Sequence, residues 1–233
     1  MAESDPGVID WKACDAPGLP PTRGVFVRVE PLCPAQDATG LFAAIGGEQN
    51  DELWRYIPFG PPESADALMS ILSLMAEAQD WQTLVFRGSD SGECLGMASY
   101  MRIRREAGSA EVGCVVFSKA LQRTPAATEA MYLMMKRAFE AGYRRYEWKC
   151  DALNARSRSA AQRLGLSYEG VFRQATIYKG RNRDTAWYAA IDREWPELES
   201  AFVRWLDVSN FDGEGKQRQR LADLTRPVLK ACG

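Results

Sequence analysis

The sequence predicts an α/β protein whose central sheet is mixed, mostly antiparallel and flanked by helices. Three observations carry this expectation. Segments of period two alternate along the chain with segments of helical period. Gln82–Arg87, Glu93–Arg102 and Ala110–Phe117 follow one another across short turns, which makes an antiparallel meander. From Glu111 to Asp151 the pattern reads strand, helix, strand, which implies one parallel crossover.

Taken in order, residues 1–21 are rich in Pro, Asp and Gly and are expected to form a loose leader. Gly24 to Glu30 sets Val25, Val27 and Val29 against Phe26, Arg28 and Glu30, the alternation of a first strand. Pro31 and Pro34 end it, and Ala35 to Ile45 reads as a helix stopped by Gly46-Gly47. A second helical stretch covers Pro62 to Gln79, and the turn cluster Gly88-Ser89-Asp90-Ser91-Gly92 separates the first two meander strands. Met131, Met134, Met135 and Ala138 recur at i, i+3, i+4 and i+7, so Pro125–Ala141 is an amphipathic helix closed by Gly142.

Tyr143–Asp151 alternates again as a strand. Asn154–Leu164 is a short helix with Asn154 as N-cap and Gly165 just past its end. Leu166–Tyr178 and Asp184–Asp192 flank the turn 179–183 as a final hairpin. Trp195-Pro196 opens a last helix with Leu198, Ala201, Phe202, Trp205 and Leu206 on one face, and the tail after Asn210 is polar and expected to be mobile. The domain is therefore placed at 22–195, followed by a C-terminal helix and polar tail at 196–233.

Composition narrows the chemistry. Hydrophobic residues make up 46% and charged residues 26% of 233 residues, enough to bury a sizeable core. A formal net charge of −2 gives no global field toward nucleic acid or anionic membrane. The apolar runs fall short of a membrane span, and the acidic start Met1-Ala2-Glu3-Ser4-Asp5 lacks the regions of a secretory signal, so a cytoplasmic location is expected. The six cysteines form no C-x-x-C pair, which argues against a zinc site or disulfide framework. There is no histidine at all. Ser-His-Asp and Cys-His machinery and His-based metal sites are thereby excluded. Proton transfer falls to Glu, Asp, Tyr, Lys, Ser, Cys or water, and no metal is expected. Gly40…Gly46-Gly47 lacks G-x-G-x-x-G and reads as a helix C-cap. Asp212, Glu214 and Asp223 dilute the basic Lys216, Arg218 and Arg220 of the tail into a solvated face.

Between the strand Val112–Phe117 and the long helix lies Leu121-Gln122-Arg123-Thr124-Pro125-Ala126-Ala127-Thr128-Glu129. A strand that ends in a short loop opening a helix exposes unpaired N–H groups at a positive dipole end, a natural seat for a pyrophosphate. An ordinary Pro-initiated helix capped by Thr124 is the plainer reading. Farther on, Asn154-Ala-Arg-Ser157 precedes Ala160, Ala161 and Leu164-Gly165-Leu166, and helical spacing turns Ser157 inward with them, where it needs a partner.

Gln122–Ala127 resembles the Q/R-x-x-G-x-G/A signature of the GNAT acetyltransferases, with Pro125 where the family usually has Gly. Asn154…Ser157…Leu164-Gly165-Leu166 looks like the N-x-x-S…L-G-F element of the ribosomal-protein (Rim-type) branch. Trp54-Arg55-Tyr56 stands where Rim-type enzymes form an acceptor-side loop, and Gly170–Arg173 with Gly180–Asp184 resembles their closing hairpin. The resemblance runs in order over roughly residues 22–195.

It implies a GNAT-type fold and direct transfer of acetyl from acetyl-CoA to an amine, a protein N-terminus or a small molecule. The enzyme would be a monomer or homodimer with no metal and no nucleic acid or membrane partner. Gln122, Arg123, Thr124, Ala126, Ala127 and Thr128 would hold the pyrophosphate. Asn154 would hold the pantetheine and Ser157 protonate the thiolate, since Ala161 stands where many relatives have Tyr. Trp54, Tyr56, Asp151 and Asp184 would face the acceptor. For the general base, strand alternation puts Arg145, Glu147, Lys149 and Asp151 on one face. Glu147 leads and Glu111 is second, provided burial raises the carboxylate pKa. The alternative is a salt-bridged layer in which Glu147 pairs with Arg145 or Lys149. The rival from another class is a non-catalytic acyl-CoA-binding sensor or scaffold.

Overall fold

The computed structural model describes residues 12–17, 20–78 and 81–233. Its sheet has eight strands: β1 (Thr22–Arg23), β2 (Val27–Pro31), β3 (Gln82–Gly88), β4 (Cys94–Arg104), β5 (Ser109–Phe117), β6 (Arg145–Asp151), β7 (Ser167–Tyr178) and β8 (Arg181–Ile191). They are ordered β1-β2-β3-β4-β5-β6-β8-β7. Every pair is antiparallel except β5 with β6, the expected crossover. The helices are α1 (Pro34–Ile45), α2 (Ala65–Glu77), α3 (Pro125–Glu140), α4 (Ala155–Arg163), α5 (Trp195–Leu206) and α6 (Leu221–Thr225). No helix among the described residues is long and apolar enough to cross a membrane.

Period-two alternation sends side chains to opposite faces, and each face has its own core. Leu84, Tyr100, Val112, Tyr146, Trp148 and Tyr188 pack beneath α3 and α5. Val85, Met97, Met101, Cys114 and Val116 pack beneath α1 and α2 around the fully buried Trp54. Fully buried Phe86 and Phe202 each gain roughly 1.5–3 kcal/mol from leaving water.

Three expectations are corrected. The predicted first strand begins only at Val27, as β2; Gly24–Phe26, expected to be its start, form a tight turn after β1, with Val25 exposed. Its cause lies far away in sequence: buried Glu129 on α3 accepts the N–H groups of Val25, Phe26 and Val27 at 2.7, 2.7 and 2.9 Å. The leader is not wholly loose, because Cys14 is buried and its thiol donates to the Gly142 carbonyl at 3.1 Å; residues 1–11, 18 and 19 lie outside the described residues. The tail, expected to hang free, is docked on the domain. Leu221, Thr225 and Val228 are buried against the α3–α5 side. Lys230 N–H donates to Ser167 Oγ at 2.9 Å and Gln162 Nε2 to the Gly233 carbonyl at 2.6 Å.

Candidate active site

The site begins where β5 and β6 part. Their register runs from Ser109↔Arg145 to Val112↔Trp148 and stops, although both strands continue. On its other side β5 is bulged. Met97 pairs with Val116 and Ser99 with Gly113, so Cys114 and Val115 together oppose Ala98 alone. Cys114 adopts a φ of 47°, an uncommon conformation outside glycine. A bulge leaves its extra residue out of the ladder and kinks the strand away from its neighbour. The outcome is a cleft of about 560 Å³ lined by Tyr56, Glu111, Cys114, Lys149, Ser157 and Trp187, among others.

The charged face of β6 meets Glu111 on β5 to form one network. Lys149 Nζ forms ion pairs with Glu111 Oε2 at 2.9 Å and with Glu147 Oε2 at 2.8 Å. Arg102 Nη1 reaches the same Glu111 Oε2 at 2.7 Å, and Arg145 Nε reaches Glu147 Oε1 at 2.7 Å. The Lys149 ammonium also sits 3.7 Å from the centre of the Trp187 ring. Burial pushes the Glu147 pKa up, but hydrogen bonds and charge from Lys149 and Arg145 outweigh it, and the net shift is downward. The raised pKa expected of Glu147 is therefore not found, and the salt-bridged layer is. Glu147 does not line the cleft, whereas Glu111 does. Glu111 Oε1 has no hydrogen-bond partner among the described residues and lies 3.4 Å from where a Cβ on Gly113 would stand, at the foot of the bulge.

Ser157 is turned inward and has the partner it needs: its Oγ accepts from Trp148 Nε1 at 2.9 Å. Asn154 caps α4, its Oδ1 accepting the Ser157 N–H at 3.1 Å. Burial raises the thiol pKa of Cys150, against a hydrogen bond with Ser157, and pushes Cys114 up to about 12. Both cleft cysteines are thereby kept from the thiolate form that a covalent nucleophile requires.

At the loop before α3, Thr124 is the N-cap. Its Oγ1 accepts the Ala127 N–H at 3.2 Å and donates to the Leu121 carbonyl at 2.6 Å. Arg123 is exposed with a φ of 62°, and Gln122 Nε2 donates to the Phe117 carbonyl at 2.9 Å. Proline at the first helical position contributes no donor, so the N–H groups of Arg123 and Ala126 are left to the open end of the helix. Thr128 turns inward instead, accepting both Arg163 Nη atoms at 3.1 Å.

On the acceptor side Tyr56 lines the cleft, its O–H donating to the Leu153 carbonyl at 3.4 Å. Trp54 does not; it is a core residue whose Nε1 donates to the Ile45 carbonyl at 2.7 Å. Asp151 is buried in the cleft wall, accepting from Leu153 N–H and Tyr178 O–H, both at 2.8 Å. Asp184 points to the outer side of the hairpin, where it accepts Gln174 N–H at 2.7 Å and Asn182 Nδ2 at 3.0 Å. Sequence reasoning missed the bulge, the bridging role of Lys149 and the cleft arginines Arg102 and Arg183. Lys149, a lysine among carboxylates on a central strand, was the one signal that pointed to its role.

The site is thus a sheet opened between two parallel strands beside a helix N-terminus. The family model described as an acetyltransferase (GNAT) domain matches residues 27–167, and the chain belongs to that family. A crystal structure of a GCN5-related N-acetyltransferase from Brucella melitensis is 36% identical with a TM-score of 0.90, covering 93% of this chain and 99% of that one. A probable GNAT-family acetyltransferase from Chromobacterium violaceum is 39% identical with a TM-score of 0.79, covering 84% of this chain and 98% of that one. RimL, a ribosomal L7/L12 α-N-protein acetyltransferase solved with coenzyme A, is 18% identical with a TM-score of 0.62, covering 73% and 97%, and shares the fold. A comparison with curated proteins finds no match.

Proposed function

We propose that the protein is an acetyl-CoA-dependent N-acetyltransferase that moves an acetyl group directly to a primary amine. The observation that carries this reading is the opening of β5 from β6 at a bulge, with Ser157 on one lip and Glu111 on the other. The residues suit coenzyme A. The gap between the strands accepts a narrow extended arm, and the N–H groups of Arg123 and Ala126 with the Arg123 guanidinium suit a pyrophosphate. Bound there, acetyl-CoA supplies an activated acetyl thioester; RimL, of the same fold, was solved with coenzyme A.

The chain's own residues then divide the work. The N–H groups at the Cys114–Val115 bulge polarise a carbonyl oxygen. Glu111 Oε1 takes a proton from the incoming amine, and Lys149 and Arg102 fix its other oxygen. Ser157 has its oxygen engaged by Trp148 Nε1, which orients its own proton for a departing sulfur. Glu147 positions Lys149 and does not act as the base. With both cleft thiols held protonated, no covalent acetyl-cysteine is needed.

Coenzyme A is expected to raise the melting temperature, because a ligand of the native state alone stabilises it by mass action. Arg123→Glu should diminish that rise by placing an anion beside the pyrophosphate. No rise at millimolar coenzyme A in the parent would overturn the proposal, and binding without turnover on any amine would favour a sensor.

A further inference from the structure

The cleft uses its charges unevenly. Lys149 and Arg102 are spent on Glu111 and Glu147. Arg183, also in the cleft wall, makes no ion pair among the described residues. Its Nε is buried with no hydrogen-bond partner, and its one aromatic contact is the Tyr178 ring, with Cζ 5.6 Å from the centroid. Trp187 Nε1 is likewise buried and unpartnered. Asp151 is the reverse case: a carboxylate 5% exposed, held by two neutral donors, with no cation at ion-pair distance among the described residues.

These groups share one face of the sheet. Asp151 pairs with Thr185 and Lys149 with Trp187, so Arg183 and Trp187 flank Thr185 on the same side of β8. Asp151 and Arg183 are then diagonal cross-strand neighbours, roughly 7–8 Å apart at the backbone. An unmatched buried charge is costly, and an unpaired buried donor costs about 1–3 kcal/mol. Guanidinium and indole nitrogens only donate, so what satisfies them must accept.

We infer that the acceptor is a small amine bearing an anionic group, carboxylate or phosphate, within a few bonds of its nitrogen. This rests on the N-acetyltransferase reading above and narrows its substrate. The anion lies against the Arg183 guanidinium and the Trp187 indole N–H, and the ammonium faces the carboxylates Asp151 and Glu111. The enclosure agrees with a small molecule. Lys179 at the hairpin tip donates to the Trp54 carbonyl at 2.9 Å, and Tyr56 O–H reaches the Leu153 carbonyl. These contacts tie the loop after α1 across the cleft to the hairpin and to the turn before α4. The space beneath, about 560 Å³, is in the range of small-molecule sites.

The test compares acceptors that differ only in the anion: the common amino acids against their carboxamides, and O-phosphoethanolamine against ethanolamine. The parent should show a kcat/KM at least about tenfold higher for the anionic member of one or more pairs, the size of a charged hydrogen bond. Arg183→Gln should bring that ratio close to one, and Arg183→Lys should keep part of it, which separates charge recognition from misfolding. Equal or better use of the neutral members, reaction with none of the panel, or a ratio unchanged by Arg183→Gln would overturn the inference. Coenzyme A binding, read by melting temperature in the same samples, distinguishes this failure. A parent that does not bind it overturns the acetyltransferase reading itself.

Discussion

The two faces of β6 carry opposite chemistries seven residues long. One presents Tyr146, Trp148 and Cys150 to a packed core; the other carries Arg145, Glu147, Lys149 and Asp151, of which Lys149 and Asp151 line the cleft. The apolar face gains from leaving water and needs only shape. The charged face loses solvation and must recover it through matched ion pairs, which Lys149 provides by holding two carboxylates at once. A strand can carry such a face when one neighbour parts from it and leaves room for a ligand. Trp148 and Cys150 link the faces: both belong to the core and line the cleft, and the Trp148 N–H reaches Ser157.

Breaking that arrangement at its centre should have the largest effect. Lys149→Met leaves Glu111 and Glu147 without their shared cation, and removing one partner of a buried pair costs about 3–5 kcal/mol. Arg102 is half exposed, so Arg102→Met should cost under about 1 kcal/mol. Urea unfolding of the two variants reads the difference; equal losses would mean that Lys149 is not the keystone.

Next comes catalysis on the same face. Glu111→Gln keeps shape and removes the base, and should lower kcat by about 10²-fold. Glu147→Gln should change kcat less than about tenfold while weakening stability by about 1–2 kcal/mol at neutral pH. Its folded pKa lies below the unfolded value, so its contribution is full above the ordinary carboxylate range near ~4.3 and fades as pH falls through the depressed value. The stability gap between parent and Glu147→Gln should accordingly close as pH drops from neutral into that acid range. A gap that widens, or a kcat loss larger than that of Glu111→Gln, would reverse the two roles. The smallest effect is expected across the link: Ser157→Ala should slow turnover only several-fold, since water can protonate a thiolate of pKa ~8.5.

Legibility followed the reach of each interaction. The Met131–Ala138 spacing fixes α3, and Asn154 caps α4, because helical period and capping act within a few residues. The alternation of β6 was equally local, so its two faces were readable before the fold. The turn at Val25–Val27 was not, since it answers to a carboxylate about a hundred residues away. The docked tail also escaped, because Leu221, Thr225 and Val228 are too sparse to form a pattern. In the site, the residue types were legible and their pairings were not. Whether Glu147 or Glu111 has a free oxygen depends on where Lys149 and Arg102 reach, and the bulge beside them rests on a cysteine at positive φ that no turn signal announces.

The proposed function makes the gap between β5 and β6 the place where an acetyl thioester meets an amine. Its most direct test follows the appearance of free coenzyme A thiol from acetyl-CoA, with and without added amines, while mass spectrometry follows the acceptor. Thiol release should depend on an amine and match N-acetylated product one to one, with no acetyl group left on the protein. Thiol release independent of any amine, or acetyl found on Cys114 or Cys150, would contradict it.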